Sequence, residues 1–123
     1  MLKIAFSPIY KYSLPPKHRF PMEKYELVPE QLLYEGTITE QNFFHPDQLE
    51  EADILLTHTK AYWDKLRTDS LTRKEIRKIG FPVRPSLIDR GRFIAKGTVD
   101  CVKYAMENGI AMNIAGGTHH AYT

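Results

Sequence analysis

The feature that most constrains the fold is a long amphipathic helix that leads, with almost no linker, into a short apolar strand. After Pro85, apolar or small residues recur at steps of three and four and define one helix face: Leu87, Gly91, Ile94, Ala95, Thr98, Val102, Ala105 and Met106. Gly109 ends this helix, and the apolar stretch 110–115 follows at once. A helix that feeds a buried strand through a short turn is typical of layered α/β folds, so we expect a parallel sheet covered by helices.

Other short stretches supply strands for such a sheet. Residues 2–6 form an apolar run that Pro8 closes, which predicts a buried parallel strand. Phe43 and Phe44 form a brief β-prone patch, and residues 54–57 predict another strand. Between residues 7 and 21 the prolines exclude regular structure and predict a long loop, a kind of segment that often carries functional residues.

Four more segments are predicted to be helical. They cover residues 22–35, 47–52, 60–67 and 72–79. Pro29 lies inside the first segment and predicts two short pieces separated by a kink. Asp47 is expected to cap the second, and Asp69 or Ser70 the fourth.

Composition bounds the domain count and the partners. A chain of 123 residues with 42% hydrophobic content is enough for one compact domain. Its net charge of +2 is too small to indicate nucleic acid or an anionic membrane as the main partner. Cys101 is the single cysteine, and its helical apolar surroundings predict a core thiol in a reducing compartment. Without a signal-peptide pattern or a membrane-spanning run, we expect a cytoplasmic protein.

The segment that carries chemistry follows the last predicted strand. Gly116, Gly117, His119 and His120 stand at its C-terminal end, where open parallel sheets bind ligands. The glycines allow a tight bend and a close approach of a substrate to the main chain. Histidine can accept and return a proton near neutral pH. If the two histidines bound zinc, they would need a further ligand, and no residue at a suitable local spacing supplies one. An incidental histidine pair in a loop near a chain end is the alternative.

Residues 113–121, Asn-Ile-Ala-Gly-Gly-Thr-His-His-Ala, resemble the motif that supplies the catalytic histidine pair of histone deacetylases and related bacterial proteins. Three other stretches agree with this family. Residues 18–25 look like its early His-Arg loop, residues 56–62 resemble its His-x-x-x-Tyr stretch, and residues 79–82 look like its bacterial and class IV type. The resemblance implies an arginase–deacetylase-like fold, with three α/β/α layers around a parallel sheet. We therefore expect residues 1–123 to be the truncated N-terminal portion of a single deacetylase-like catalytic domain.

The resemblance also implies a role for each matching residue. His119 and His120 would be the general base and its electrostatic or general acid partner, acting on a metal-bound water. Gly117 would lie along the tunnel for the acyl group, and Arg19 along the internal channel through which acetate leaves. The complete enzyme would use zinc to hydrolyse acyl-lysine or a small acylated amine. Because the family's zinc ligands follow the histidine pair, we expect no metal ligand and no cofactor in this chain, and no activity of the chain alone.

Other interpretations of the chain stay open. It could be a non-catalytic binding or assembly module that retains half of the fold, and only the basic stretch 67–92 points to nucleic acid. Strand 110–115, central in the complete sheet of the resembled family, would have unpaired backbone groups on one side. Because such an edge pairs readily with another chain, we expect a homo-oligomer formed by strand addition or by exchanged elements.

Overall fold

A small parallel sheet lies at the centre of the fold. The computed structural model describes residues 1–117. Within them, β1 (Lys3–Ala5) lies between β2 (Phe43–Phe44) and β3 (Ala111–Asn113), and both pairings are parallel. Ile4 in β1 is opposite Phe43 on one side and Met112 on the other. The predicted α/β class with a parallel sheet is therefore confirmed.

Helices connect and cover these strands. The α-helices of residues 1–117 are α1 (Lys24–Tyr34), α2 (Glu51–Ile54), α3 (Lys60–Arg67), α4 (Arg73–Ile79) and α5 (Pro85–Asn108). Short 3-10 turns occur at Pro8–Tyr10 and Glu40–Asn42. Helix α5 has Pro85 in its first turn and ends at Gly109 in the left-handed region, as predicted. None of the helices in this part of the chain has both the length and the apolar character to cross a bilayer.

Helical side chains pack on both faces of the sheet. Neighbouring residues of a strand point to opposite faces. Ala5 of β1 faces Gly97 of α5, whereas Ile4 belongs to a buried cluster with Ile38 and Phe43. Leu32 and Leu33, from the end of α1, pack against that second cluster. The sheet thus has α5 on one face and the end of α1 on the other.

The predicted strand at residues 54–57 is wrong. Ile54 is the last residue of α2, and the chain then turns so that Leu56 is exposed. The amides of Leu55 and His58 donate to the carbonyls of Glu51 and Ile54, which are local, helix-type hydrogen bonds. A run of three apolar residues and a threonine cannot by itself distinguish a strand from the end of a helix. Asp47 does not cap α2, which follows Glu50 with no side-chain capping bond.

Two helix details also differ from the predictions. Helix α1 is one helix that contains Pro29, not two pieces, and Pro29 is buried in it. Helix α4 is capped by Thr72, not by Asp69 or Ser70. The Thr72 hydroxyl accepts from the Glu75 amide at 3.2 Å, and the Glu75 carboxylate accepts from the Thr72 amide at 3.0 Å. This reciprocal pair satisfies two donors at the start of the helix.

Helix α5 is rotated relative to its predicted apolar face. Its buried residues are Arg90, Ile94 and Gly97, whereas Val102 and Met106 are exposed. Cys101 is only half-buried, and its thiol donates to the Met112 carbonyl at 3.1 Å. The rotation places Gly97 against the sheet, so that the backbones of α5 and β1 approach closely.

Candidate functional site

The carboxyl ends of the three strands lie at one edge of the sheet. Strand β1 leads into Ser7 and the Pro8–Tyr10 turn, and β3 leads into Gly116 and Gly117. The Ile114 amide donates to the Ala5 carbonyl at 3.1 Å, which extends the pairing of the two strands to this edge. Because ligands bind at such edges of parallel sheets, this edge is the candidate site.

Asn113 fixes the turn that precedes the glycines. Its amide nitrogen donates to the Ile94 carbonyl at 3.0 Å and to the Thr98 hydroxyl at 3.1 Å. Its carbonyl oxygen accepts from the Ala115 amide at 3.3 Å. A polar residue in an apolar strand therefore ties the end of β3 to α5, and so determines where Gly116 begins.

Tyr10 fills the space beneath this turn. Its side chain is fully buried, and an added Cβ on Gly97 would meet its hydroxyl oxygen at 2.7 Å. Although the Asn113 amide lies near, the hydroxyl has no hydrogen bond of good geometry within residues 1–117. Burial raises the pKa of the Tyr10 phenol well above its ordinary value, so the hydroxyl stays neutral.

An open cleft of about 490 Å³ lies between α5, the end of α4 and the two glycines. We call it the Gly117 cleft. Its walls are mainly apolar and include Ile79, Phe81, Leu87, Ile94 and Ala95, and Gly116 and Gly117 form one side. Gly117 thus lines a cleft in the described residues, and its role beside an acyl group stays a prediction.

Arg90 is a residue that the sequence patterns did not single out. It lines the Gly117 cleft and is only 5% exposed. Its Nε donates to the Tyr10 carbonyl, an Nη2 proton points to the Met22 sulfur at 4.0 Å, and the guanidinium lies 5.0 Å from the centre of the Tyr25 ring. The available signal was its position four residues before Ile94, on the same helix face.

Arg19 is not brought to this cleft. It is exposed and does not line the cleft formed by the described residues, whereas its neighbours dock against the start of the α4–α5 loop. The His18 ring nitrogen bonds to the Gly80 carbonyl at 2.9 Å, and the Phe20 ring packs edge-on against Phe81. His119 and His120 lie outside the described residues.

Metal ligands, too, are described only within residues 1–117. Within residues 1–117, no group of three His, Cys, Asp or Glu side chains is arranged to hold a metal ion. The described residues therefore do not fit a zinc centre by themselves, and we derive no catalytic step through a metal from them.

The chain is similar in sequence to proteins of one known family. The family model for the histone deacetylase domain matches residues 18–123. An uncharacterized protein of Picosynechococcus sp. is 34% identical over 119 residues, which are 97% of this chain and 40% of that protein. Histone deacetylase 2 of Arabidopsis thaliana is 28% identical over 109 residues, which are 84% of this chain and 28% of that protein. The chain thus spans less than half the length of these relatives.

Proposed function

This chain belongs to the histone deacetylase family, and on that premise we propose that it is the N-terminal part of a zinc-dependent deacetylase. The proposed reaction is hydrolysis of an N-acyl amide, carried by acyl-lysine or by a small acylated amine. The observation that carries the proposal is the family match over residues 18–123, which includes the Gly-Gly-x-His-His segment. The cleft beside Gly117 supports it, because an acyl chain needs an apolar space next to the reacting groups.

In this proposal each site residue has its own task. His119 and His120 hold and move the protons of amide hydrolysis, one as general base and the other as an electrostatic or general acid partner. Gly117 forms part of the wall along the acyl group, since a residue without a side chain allows close approach. The role of Arg19 in the exit of acetate rests on the resemblance alone, because Arg19 is exposed and outside the cleft.

The chain by itself is proposed to be inactive. Zinc supplies Lewis-acid polarisation of the acyl carbonyl when it is bound, and its ligands are proposed to lie outside residues 1–117. Histidines without a metal centre and without carboxylates to orient them lack most of the catalytic arrangement. A cytoplasmic location is part of the proposal and rests on the single cysteine.

An activity assay tests this proposal. A protein that carries this chain with the rest of a deacetylase domain is expected to release acetate from an acetyl-lysine peptide, to lose this activity to a chelator and to regain it with zinc. The 123-residue chain, assayed alongside, is expected to release none. Absence of hydrolysis in the longer protein, or hydrolysis that the chelator does not affect, would contradict the proposed reaction. The sequence that encodes the longer protein should also contain an Asp-x-His zinc motif.

We also propose that the 123-residue chain forms a homo-oligomer. Within residues 1–117, β3 pairs with β1 on one side only. Ile110 and Met112 at this edge are 58% and 53% exposed, and an apolar edge of this kind favours pairing with another strand. Sedimentation at micromolar concentration is expected to show a dimer or larger species.

A lysine placed at the β3 edge tests this prediction, and a lysine placed elsewhere provides the control. Met112→Lys is expected to shift the protein toward monomer, since an edge lysine opposes strand addition. The comparison variant Leu56→Lys changes another exposed apolar residue, in the turn after α2, and is expected to leave association unchanged. A monodisperse monomer of the unaltered chain, or equal effects of both lysines, would show that this edge does not mediate association.

A further inference from the structure

The starting observation is a face of α1 whose apolar and acidic side chains are uncovered. Five of its side chains, counting the residue before the helix, line one open groove: Glu23, Leu27, Val28, Glu30 and Tyr34. We call these residues the α1 face. Leu27 is 57% exposed and Tyr34 is 88% exposed, and the ion pairs of residues 1–117 include neither glutamate. An exposed apolar patch with charges at its rim is typical of a protein interface.

Helix α4 carries the opposite charge and is also uncovered. Four of its seven residues are exposed cations: Arg73, Lys74, Arg77 and Lys78. We call these residues the α4 face. The ion pair that does involve α4 joins its Glu75 to Lys65 of α3, so the four cations have no ion pair within residues 1–117.

The cations of the other described helices already have partners. On α3 and on α5, lysine and arginine side chains pair with an aspartate of the same helix, Asp64 or Asp100. Lys24 of α1 lies over the rings of Phe20 and Tyr25. Among the described helices, α4 is therefore the one whose positive charge is left to complement the α1 face.

The two faces adjoin at one end, which favours a symmetric contact between two copies. The His18 ring, shortly before α1, bonds to the Gly80 carbonyl at 2.9 Å, so the start of α1 lies beside the end of α4. A two-fold axis at this junction lets α1 of each copy lie on α4 of the other, which doubles the contact. A dimer through two α1 faces would instead oppose glutamates to glutamates, and like charges across an interface are unfavourable.

The spacing of the charges suits this arrangement. The helical rise separates Glu23 from Glu30 by about 10 Å and Lys78 from Arg73 by about 8 Å. With the start of α1 next to the end of the other α4, Glu23 meets the lysine and Glu30 meets the arginine. The long cationic side chains can accommodate the difference in spacing, and their aliphatic stems can cover Leu27.

We propose that the α1 face and the α4 face join two copies of this chain into a two-fold dimer. The glutamates of each α1 face pair with the cations of the partner's α4 face, and the Tyr34 ring offers its face to an arginine. This interface is separate from the β3 edge, and it depends on no catalytic step.

Salt separates this interface from the β3 edge. The Debye length is about 30 Å in 0.01 M salt and about 3 Å in 1 M salt, so exposed ion pairs are screened in the second condition. The Met112→Lys protein, in which strand addition is opposed, is expected to sediment as a dimer in the low salt and as a monomer in the high salt. The same mass in both conditions would overturn the proposal.

Exchanging the charges tests which surfaces meet. In the Met112→Lys protein at low salt, Glu23→Lys with Glu30→Lys is expected to weaken the dimer by roughly tenfold or more, as is Arg73→Glu with Lys78→Glu. An equimolar mixture of the two double variants is expected to recover the dimer, because opposite charges then face each other again in both contacts. Circular dichroism checks that each variant keeps its helices. Failure of the mixture to recover the dimer, or double variants that associate like their parent, would overturn the assignment of these faces.

A third double variant controls for net charge. Lys60→Glu with Lys103→Glu changes the net charge as much as the α4 reversal does, at side chains that are 69% and 70% exposed. It is expected to leave the dimer intact, and an equal loss of the dimer would show that total charge, not the α4 face, controls association. None of these measurements needs turnover, so their outcome is independent of the activity assay.

Discussion

Replacing His119 or His120 by alanine, in a protein with the complete deacetylase domain, is expected to lower kcat/KM for acetyl-lysine by roughly 10²- to 10⁴-fold. This is the usual contribution of a positioned general acid or base. The pair is proposed to move protons and not to bind zinc, so both variants should retain stoichiometric metal. Steady-state kinetics and metal analysis on the same preparations check both halves of the prediction.

A third histidine provides the control. His58 is exposed and its ring contacts that of Tyr62, so His58→Ala is expected to leave kcat/KM close to that of the unaltered enzyme. Loss of zinc from the His119 or His120 variant would mean that the pair coordinates metal, and the proposed roles would then be wrong. A loss of activity equal to that of His58→Ala would remove the pair from the mechanism.

Gly97→Ala is expected to destabilise the fold by about 2 kcal/mol, in spite of the preference of helices for alanine. The added Cβ would lie 2.7 Å from the Tyr10 hydroxyl oxygen, 2.9 Å from the Asn113 amide nitrogen and 3.2 Å from the Ala5 Cβ. Tyr10 is fully buried and Asn113 is held by its hydrogen bonds to α5, so neither can move away cheaply. Overpacking of this kind costs up to about 3 kcal/mol, against about 1 kcal/mol gained in helix propensity.

The same substitution at Gly91, six residues earlier in α5, makes a matched control. Nothing lies within 4 Å of a Cβ added to Gly91, so Gly91→Ala is expected to stabilise the protein by up to about 1 kcal/mol. Thermal unfolding should therefore show opposite shifts, with Tm lowered by roughly 8 °C for Gly97→Ala and raised by a few degrees for Gly91→Ala. A raised Tm in both variants would show that helix propensity, and not the close approach of α5 to β1, decides the effect at Gly97.

Local patterns predicted much of the architecture because they depend on chemistry within a few residues. Leu2–Phe6 and 110–115 contain β1 and β3, and the helices ended by Gly80 and Gly109 have these ends in the structure, since glycine adopts the left-handed torsions required there. The family resemblance, carried by the Gly-Gly-x-His-His segment, is confirmed by the comparisons. The roles given to Gly117, Arg19, His119 and His120 stay predictions.

What the sequence by itself determined about this protein is its α/β class, the order of its main helices and strands, and its family. Only the tertiary structure decided which face of α5 is buried, because the close approach at Gly97 and the hydrogen bonds of Asn113 rotate that helix away from its most apolar stripe. The same rotation buries Arg90 beside the Gly117 cleft, although a charged residue is expected at the surface. The physical reason is that burial depends on contacts between residues far apart in the chain, such as Arg90 with Tyr10. Local periodicity carries no information about such contacts.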